Sequence, residues 1–332
     1  MSDPRTRLLR TRAYLMEQSD ERHFVSAAEL IAHLECEGLA ADRRTVISDI
    51  ALLRRSGLPI AQKKTRPSGY YLESRMFEPA EIQLLIDLLH SSRLLTREHG
   101  DALSQKLASL LGKYEAEKLR RETSRSARTT AGDERAYGNL KRVYEALADG
   151  RKLSFHYCQY TQDKTLVSRR NGGTYVVNPC LTLFSGGNCY LLADHPLHEG
   201  LAHYRVDKMT DICLLDEPRA PLDPAFDPAQ YAKTVFSMYP GEPKWVRLAF
   251  DKSLIGAVID RFGADAPIAE LDETTCSVSA PVRVSPPFFG WVFQFGGGVR
   301  ILSPDDVRER MALLVEAAKR AAGNESLPGR SV

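Results

Sequence analysis

Basic and hydroxyl side chains are concentrated between residues 43 and 66. One group stands at the start of a predicted helix and comprises Arg43, Arg44, Thr45 and Ser48. A second group stands in a loop soon after that helix and comprises Lys63, Lys64 and Arg66. Arginine and hydroxyl groups hydrogen-bond to base edges, and lysine and arginine neutralise phosphates. The two groups therefore predict a surface that binds double-stranded DNA.

Two predicted helices and their end signals position the first group. Ser26 and Glu29 form a capping box at the start of one helix, and Gly38 ends that helix. Asp42 is the predicted N-cap of the next helix, which covers residues 43–55. Its predicted buried face comprises Val46, Ile47, Ile50 and Leu53. This face leaves Arg44, Thr45 and Ser48 on the opposite side.

A predicted hairpin positions the second group. The runs 60–62 and 70–72 flank the basic loop, and Gly57 and Pro59 end the preceding helix. Helix, helix and basic hairpin in this order predict a winged helix-turn-helix, whose second helix enters the major groove. Two other interpretations stay open, since amphipathic helix pairs are common and many basic loops are only solvated.

The overall charge of the chain requires any DNA contact to be local. The 332 residues carry 45 basic and 43 acidic side chains, a net charge of +2. A second basic stretch comprises Lys118, Arg120, Arg121, Arg125 and Arg128. It predicts an interdomain linker that either lies on DNA or is solvated.

Several classes of protein and site are not favoured by the sequence. It has no apolar run long enough to span a membrane and no signal peptide at its start. The six cysteines show no close pairing, which favours reduced thiols in the cytoplasm. His195, His198 and His203 lack a matching set of metal ligands, and Gly296–Gly298 lacks the signature of a phosphate loop. We therefore expect no metal, cofactor or catalytic residues.

The predicted fold class is α+β with several domains. A DNA-binding domain (1–75) is followed by a helical connector and basic linker (76–135), with helices at 81–95 and 101–118. Short strands at 153–157, 174–178, 181–184, 189–193 and 203–206 predict a small barrel within residues 136–216. A linker (217–243), a small α/β domain (244–323) and a disordered tail (324–332) complete the prediction.

Residues in the second half resemble the WYL domain. Cys189, Tyr190 and Leu191 match the tripeptide of that family, with Cys in place of Trp, and Tyr204–Lys208 matches its aromatic-Arg-hydrophobic-Asp-Arg run, with Lys in place of the last Arg. Phe289-Gly-Trp and Val299–Pro304 resemble the extension that follows WYL domains. With the predicted winged helix, the resemblance covers nearly the whole chain.

The resemblance implies a fold, a function and an assembly. WYL-domain proteins with a winged helix before the WYL domain and this extension after it are bacterial or phage-defence-type transcriptional regulators. They usually act as homodimers. Their WYL domain is an SH3-like β-barrel thought to sense an anionic or nucleotide-like ligand. On this basis the expected ligand site comprises Tyr157, His203, Arg205 and Lys208. A strand through His203, Arg205 and Asp207 would place their side chains on one face. The alternative is a solvated strand face.

Three functions are weighed on these observations. The first is a ligand-responsive transcriptional regulator, with repression as the expected sign. The second is a module that binds single-stranded DNA or RNA through the barrel. The third is a cytoplasmic enzyme that acts on nucleotides. The operator and the effector are not encoded in any motif. The C-terminal domain (244–323) is the expected dimerisation module, and the helix at 101–118 stays open as an alternative or additional dimer contact.

Overall fold

A computed structural model describes residues 3–123, 133–195, 200–221 and 223–323 of the chain. These residues divide into two compact units, Met1–Glu134 and Arg135–Val332. Both units combine helices with antiparallel sheets, so the predicted α+β class with several domains is confirmed. Within the described residues, no helix is both long and apolar enough to cross a membrane.

Three helices and a hairpin open the first unit. They are α1 (Pro4–Gln18), α2 (Ala27–Cys36), α3 (Arg43–Arg55), β1 (Ile60–Lys63) and β2 (Gly69–Leu72). The side chain of Ser26 accepts from Glu29 N–H and Asp42 accepts from Thr45 N–H, so the helices begin where their caps predict. Their shared core comprises Leu15, Val25, Leu30, Leu34, Val46, Ile50, Leu53, Ile60, Tyr70 and Leu72.

One predicted core position of α3 is wrong. Ile47 is 44% exposed, while Asp49 lies buried on the inner face. The inner face accepts Asp49 because Arg7 of α1 pairs with its carboxylate. The apolar pattern could not show a charged residue that is compensated from another helix.

The helical connector contains three helices, α4 (Pro79–Ser91), α5 (Arg97–Ala108) and α6 (Lys113–Thr123). The single helix predicted over 101–118 is wrong, because the chain turns between Ala108 and Lys113. The turn buries Leu111, and it packs Gly112 so closely that an added Cβ would lie 2.6 Å from Arg75 Nη2. The helix predicted to end at residue 95 ends at Ser91, and Leu94 and Leu95 are buried beyond it.

The basic stretch begins at the end of this connector. Lys118, Arg120 and Arg121 lie on the exposed side of α6. Arg125, Arg128 and the predicted tail 324–332 lie outside the described residues.

The second unit begins with α7 (Glu134–Asp149) and a six-stranded antiparallel sheet. The strands are β3 (Arg151–Tyr160), β4 (Leu166–Ser168), β5 (Thr174–Ser185), β6 (Asn188–Asp194), β7 (Leu201–Arg205) and β8 (Met209–Pro218). They follow the order β4-β3-β5-β6-β7, with β8 also paired to β3. Bulges interrupt the β3–β8 and β5–β6 pairs, and such bulges bend a sheet.

Three features of this region differ from the predictions. The strand predicted through Asp207 ends at Arg205, and Val206–Lys208 form a turn of 3-10 helix. The runs 174–178 and 181–184 form one strand, β5. The predicted linker is structured, since β8 extends to Pro218 and α8 (Pro228–Thr234) packs against the sheet through Tyr231 and Leu192.

The unit ends with a second sheet and three helices. The order in the sheet is β10 (Ile268–Glu270), β11 (Thr275–Val284), β9 (Glu242–Asp251), β12 (Val299–Ser303), all antiparallel. Helices α9 (Ile255–Phe262) and α10 (Pro286–Phe293) pack against its apolar face, and α11 (Asp305–Gly323) follows β12. Helix α10 and strand β10 were not predicted.

Candidate functional site

The N-terminal half of α3 presents a polar surface to solvent. Arg43, Arg44 and Ser48 are exposed, while Thr45 is partly buried. Thr45 N–H donates to Asp42 Oδ1 at 2.7 Å, and the hydrogen bond from the Thr45 side chain is the main reason that the pKa of Asp42 is lowered. Thr45 thus belongs to the cap of the helix, and Arg44 and Ser48 share the solvent face with Arg55.

Two contacts fix α3 within the first unit. Arg7 Nε lies 2.8 Å from Asp49 Oδ2, and this hydrogen bond raises the pKa of Arg7. Near the C-terminal end of α3, Arg54 Nε donates to the carbonyl of Ile60 at 2.8 Å, which ties the helix to β1. The orientation of α3 is therefore fixed by polar contacts at its middle and near its C-terminal end, as well as by its apolar side.

The three basic residues of the hairpin have different environments. Lys63 is partly buried at the end of β1, with Nζ 4.3 Å from the ring centroid of Phe24. Lys64 and Arg66 are exposed in the loop between β1 and β2. Lys64 and Arg66 are the hairpin cations best placed to reach a phosphate, and Lys63 helps to position the strand.

Arg205 and Tyr157 meet in the second unit, as the expected ligand site requires. The backbone N–H of Arg205 donates to the Tyr157 hydroxyl at 3.1 Å. The Arg205 guanidinium binds Asp207 at two points, Nε–Oδ1 at 3.0 Å and Nη2–Oδ2 at 2.7 Å. Burial raises the pKa of Tyr157, so its hydroxyl stays protonated and can donate.

Lys208 lies close to the charged groups of Arg205 and Arg169. Burial lowers its pKa, and the nearby charges of Arg205 and Arg169 lower it further. Its Nζ is 5.9 Å from the ring centroid of Tyr160. The Asp207 carboxylate raises the pKa of Lys208 in the opposite direction, so Lys208 lies close to two arginines and one carboxylate.

Two arginines that the sequence analysis did not select complete this cluster. Arg169 has its Cζ 5.7 Å from the Tyr157 ring centroid, and Arg170 has its Cζ 4.5 Å from that of Tyr175. Arg170 and Asn171 adopt φ values of 50° and 51°, a left-handed backbone that is uncommon for residues other than Gly. The adjacent arginines stand directly before Asn171-Gly172-Gly173, and their pairing was a signal in the sequence that could have found them.

Tyr204 lies beneath these cations with an unsatisfied hydroxyl. It is only 4% exposed, and its Oη has no hydrogen-bond partner among the described residues. Burial raises its pKa to about 12. Its ring centroid is 5.3 Å from that of Tyr157 and 5.8 Å from that of Tyr175. A buried hydroxyl without a partner is unfavourable unless a ligand or water satisfies it.

His203 does not share these partners. Its Nδ1 is 2.8 Å from the carbonyl of Met238, and its Nε2 is 2.7 Å from the Tyr231 hydroxyl. Burial lowers its pKa, which favours the neutral ring. Both ring nitrogens are therefore committed to the segment that follows the six-stranded sheet, and the imidazole has no nitrogen left for a ligand.

Cysteine and histidine chemistry gives no second centre in the described part of the chain. Cys189, which stands where the family has Trp, is 1% exposed, and burial raises the pKa of its thiol to about 12. No group of three or more His, Cys, Asp or Glu that could hold a metal ion occurs among the described residues. His198, one of the histidines considered above, lies outside them.

Comparison with known proteins identifies the two domains of the second unit. The family model of the WYL domain matches residues 138–214, and that of the WCX domain matches residues 242–319. No curated protein matches the chain.

Two solved structures are similar to the chain at low identity. Proteasome accessory factor B/C (PafBC) of Arthrobacter aurescens is 18% identical over 97% of this chain, with a TM-score of 0.31, and the chain spans 49% of the PafBC chain. A structure described as a CRISPR Cas-related protein is 14% identical over 97% of this chain and 86% of its own, with a TM-score of 0.34. The two domain matches confirm the predicted resemblance: the chain contains a WYL domain, followed by a WCX domain.

Proposed function

We propose that the chain is a DNA-binding transcriptional regulator that acts as a homodimer. In this proposal, α1–α3 and the β1–β2 hairpin form a winged helix-turn-helix, and α3 enters the major groove of an inverted-repeat operator. The observation that carries it is the solvent face of α3, which holds Arg44 and Ser48 while Asp49 and the apolar residues anchor the inner face. Arg43 and Thr45 flank the contacted bases, and Lys64 and Arg66 reach adjacent phosphates, with Lys63 behind them.

A gel shift with the DNA upstream of the gene, repeated across a salt series, tests this function. Arg44→Ala is expected to weaken sequence-selective binding about 10–100-fold, the effect of losing one good base contact. The matched control is Arg97→Ala, because Arg97 is an exposed arginine on α5 of the same unit. Equal affinity of the Arg44 variant and the wild type would show that α3 is not the recognition helix. Binding that ignores sequence and vanishes with salt would contradict an operator function altogether.

The WYL domain is the ligand-sensing part of the proposed regulator. We assign β3–β8 to an SH3-like small barrel, and we place an anionic ligand at the cluster of Arg169, Arg170, Arg205 and Lys208. The only carboxylate described within this cluster is Asp207, which is already paired with Arg205. Tyr157 can donate a hydrogen bond, and the buried Tyr204 hydroxyl offers a second. Because planar guanidinium groups stack on flat rings as well as bind anions, the arginines favour an anion that carries a flat ring, such as a nucleotide or a nucleic-acid fragment.

Titration with a nucleoside 5′-monophosphate and with inorganic phosphate distinguishes recognition of the phosphate group from recognition of the flat ring. Arg170→Ala should weaken binding of the nucleotide about 10-fold or more, because a charge-assisted contact is lost. Arg142→Ala is the control, as Arg142 is an exposed arginine of α7 in the same unit. Equal binding of phosphate and nucleotide would exclude a role for the rings, and binding of neither would remove the anion from the proposal.

A second candidate function is direct binding of single-stranded DNA or RNA by the WYL domain. Tyr160 favours it, since this tyrosine is 59% exposed and lies beside Lys208, as base stacking requires. Arg205→Ala should then reduce affinity for a short single-stranded oligonucleotide and leave affinity for the duplex operator unchanged. A loss of duplex affinity alone would argue against this candidate.

A ligand at the WYL domain can regulate the proposed dimer through geometry. A dimer grips two half-sites only when its two α3 helices are about one turn of DNA, roughly 34 Å, apart. A ligand that binds one arrangement of the dimer more tightly shifts the population toward it. Repression, with the ligand releasing the operator, remains our prediction for the sign, and transcription measured with and without the ligand tests it.

A further inference from the structure

Helix α4 carries leucines on the side that faces away from its own core. Ile82, Ile86 and His90 form the buried side of the helix. Leu84 is 60% exposed, Leu88 is 57% exposed and Leu85 is 37% exposed. At 100° per residue these three leucines lie within one arc of about 100°. A helix with apolar residues on two sides is normally covered on both.

The leucine face has the arrangement needed to pair with itself. In an antiparallel pair of α4 helices with a twofold axis at the level of residue 86, Leu84 of each copy lies opposite Leu88 of the other. A twofold interface uses one patch twice, so the patch must be complementary to itself. Leucines spaced four residues apart on either side of the axis meet this condition.

The charges at the two ends of α4 favour the same antiparallel arrangement. Glu78 and Glu81 stand at its N-terminal end and are exposed, and Arg93 is exposed two residues after its C-terminal end. Antiparallel pairing brings the acidic end of each copy toward Arg93 of the other copy. A parallel pairing would place like charges together, which is unfavourable.

From these observations we propose that the outer face of α4 is an interface between two copies of this chain. The inference rests on the dimer of the proposed function and adds the surface that forms it. A 13-residue helix is about 20 Å long, so the face is smaller than the roughly 800 Å² per partner of a standard stable interface. We therefore expect a weak dimer, with a dissociation constant on the order of micromolar, and we expect bound DNA to strengthen it.

Sedimentation of the full chain over a concentration series tests the interface. The double variant Leu84→Glu/Leu88→Glu is expected to raise the dimer dissociation constant at least 30-fold. Glu is a good helix former, and both positions are exposed, so the variant should fold, which circular dichroism checks. The matched control is Leu313→Glu/Leu314→Glu, a pair of exposed leucines on α11 that are 69% and 48% exposed.

Three outcomes would overturn the inference. One is a wild-type chain that stays monomeric at about 100 μM, a concentration well above the dissociation constant expected for this interface. Another is a Leu84→Glu/Leu88→Glu variant that stays dimeric, and the third is a dimer that the α11 pair disrupts instead. If the wild type is monomeric and the α4 variant shifts its thermal unfolding, the face is covered within the chain. As a milder variant, Leu84→Ala/Leu88→Ala should give a smaller increase of the same sign.

A DNA measurement separates failure of this interface from failure of the proposed function. With a duplex that carries one half of the inverted repeat, the α4 variant should bind as the wild type does, and with the full repeat it should bind at least 10-fold more weakly. Loss of half-site binding by the wild type would count against DNA recognition by α3. Equal full-site binding by both proteins would count against the interface alone.

Discussion

Arg7 of α1 and Asp49 of α3 form a two-point ion pair, with Nε 2.8 Å from Oδ2 and Nη2 3.2 Å from Oδ1. Their side chains are 14% and 10% exposed, so the pair lies between the two helices and is shielded from solvent. It holds the inner side of the helix whose outer side we propose to read DNA. The orientation of α3 therefore depends on one guanidinium as well as on apolar packing.

Removing one partner of this pair is expected to destabilise the first unit. Arg7→Ala leaves the Asp49 carboxylate buried without its donor and should cost about 1.5–3 kcal/mol, measured by urea unfolding. As a control, Arg142→Ala breaks an exposed pair with Glu145 and should cost less than about 1 kcal/mol. If both variants cost the same, the Arg7–Asp49 pair does not stabilise the unit.

The basic loop of the hairpin is expected to contribute affinity without sequence preference. Lys64→Ala should weaken binding to the operator and to unrelated duplex DNA by the same factor. It should also reduce the slope of log affinity against log salt by about 1, as expected for one lost phosphate contact. A change in preference between operators would instead place Lys64 at a base.

The Tyr204 hydroxyl is expected to oppose stability and to favour the ligand. Tyr204→Phe removes a buried polar group that has no partner, so the ligand-free protein should gain about 1 kcal/mol of unfolding free energy. The same change should weaken nucleotide binding, because the proposed ligand loses a donor. Thermal unfolding with and without nucleotide measures both effects, and a loss of stability without ligand would mean that the hydroxyl is already satisfied.

The pKa of Glu115 predicts how one substitution depends on pH. Burial raises this pKa above 4.5, and the Asp20 carboxylate raises it further, while Arg75 lowers it. A raised carboxyl pKa stabilises the fold most below pH 4.5, and this stabilisation is lost as the pH rises through the folded-state pKa. The melting temperature of the Glu115→Gln variant minus that of the wild type should therefore increase between pH 4.5 and pH 7. If this difference decreases over the same pH range, the pairing of Glu115 with Arg75 outweighs the effect of burial.

Thiol labelling is expected to report the burial of the cysteines. Cys36 and Cys213 are exposed, while Cys158, Cys189 and Cys276 are buried. In the native protein two thiols should react rapidly with a disulfide reagent, Cys180 should react slowly, and the buried three should react only after denaturation. Peptide mapping of the labelled sites checks the order. Rapid labelling of Cys189 would show that the position of the family Trp opens to solvent.

Local signals in the sequence were sufficient for the helices that begin at strong caps. Helix α3 has the predicted bounds because Asp42 and Gly57 mark its ends within a few residues. The break between α5 and α6 was missed because it depends on Arg75, which contacts the turn at Gly112 from more than 30 residues away.

The arrangement of the residues predicted for the ligand site also depends on distant parts of the chain. Tyr157, Arg205 and Lys208 come together in the structure, but the partners of His203 lie 28 and 35 residues further along the chain. Those partners, Tyr231 and Met238, belong to residues 217–243, which were predicted to be a linker. Arg169 and Arg170 were not selected from the sequence, because their contacts with Tyr157 and Tyr175 form only in the folded sheet.

Strand β7 carries Arg205 and His203, which are two residues apart and contact different parts of the second unit. Arg205 contributes to the proposed ligand cluster, and His203 holds the segment that leads into the WCX domain. Residues i and i+2 of a strand are only about 7 Å apart. If a ligand at the proposed site moves the Arg205 backbone, we expect His203 and its partners Tyr231 and Met238 to move with it. Strand β7 thus connects the proposed ligand cluster to the segment that precedes the WCX domain.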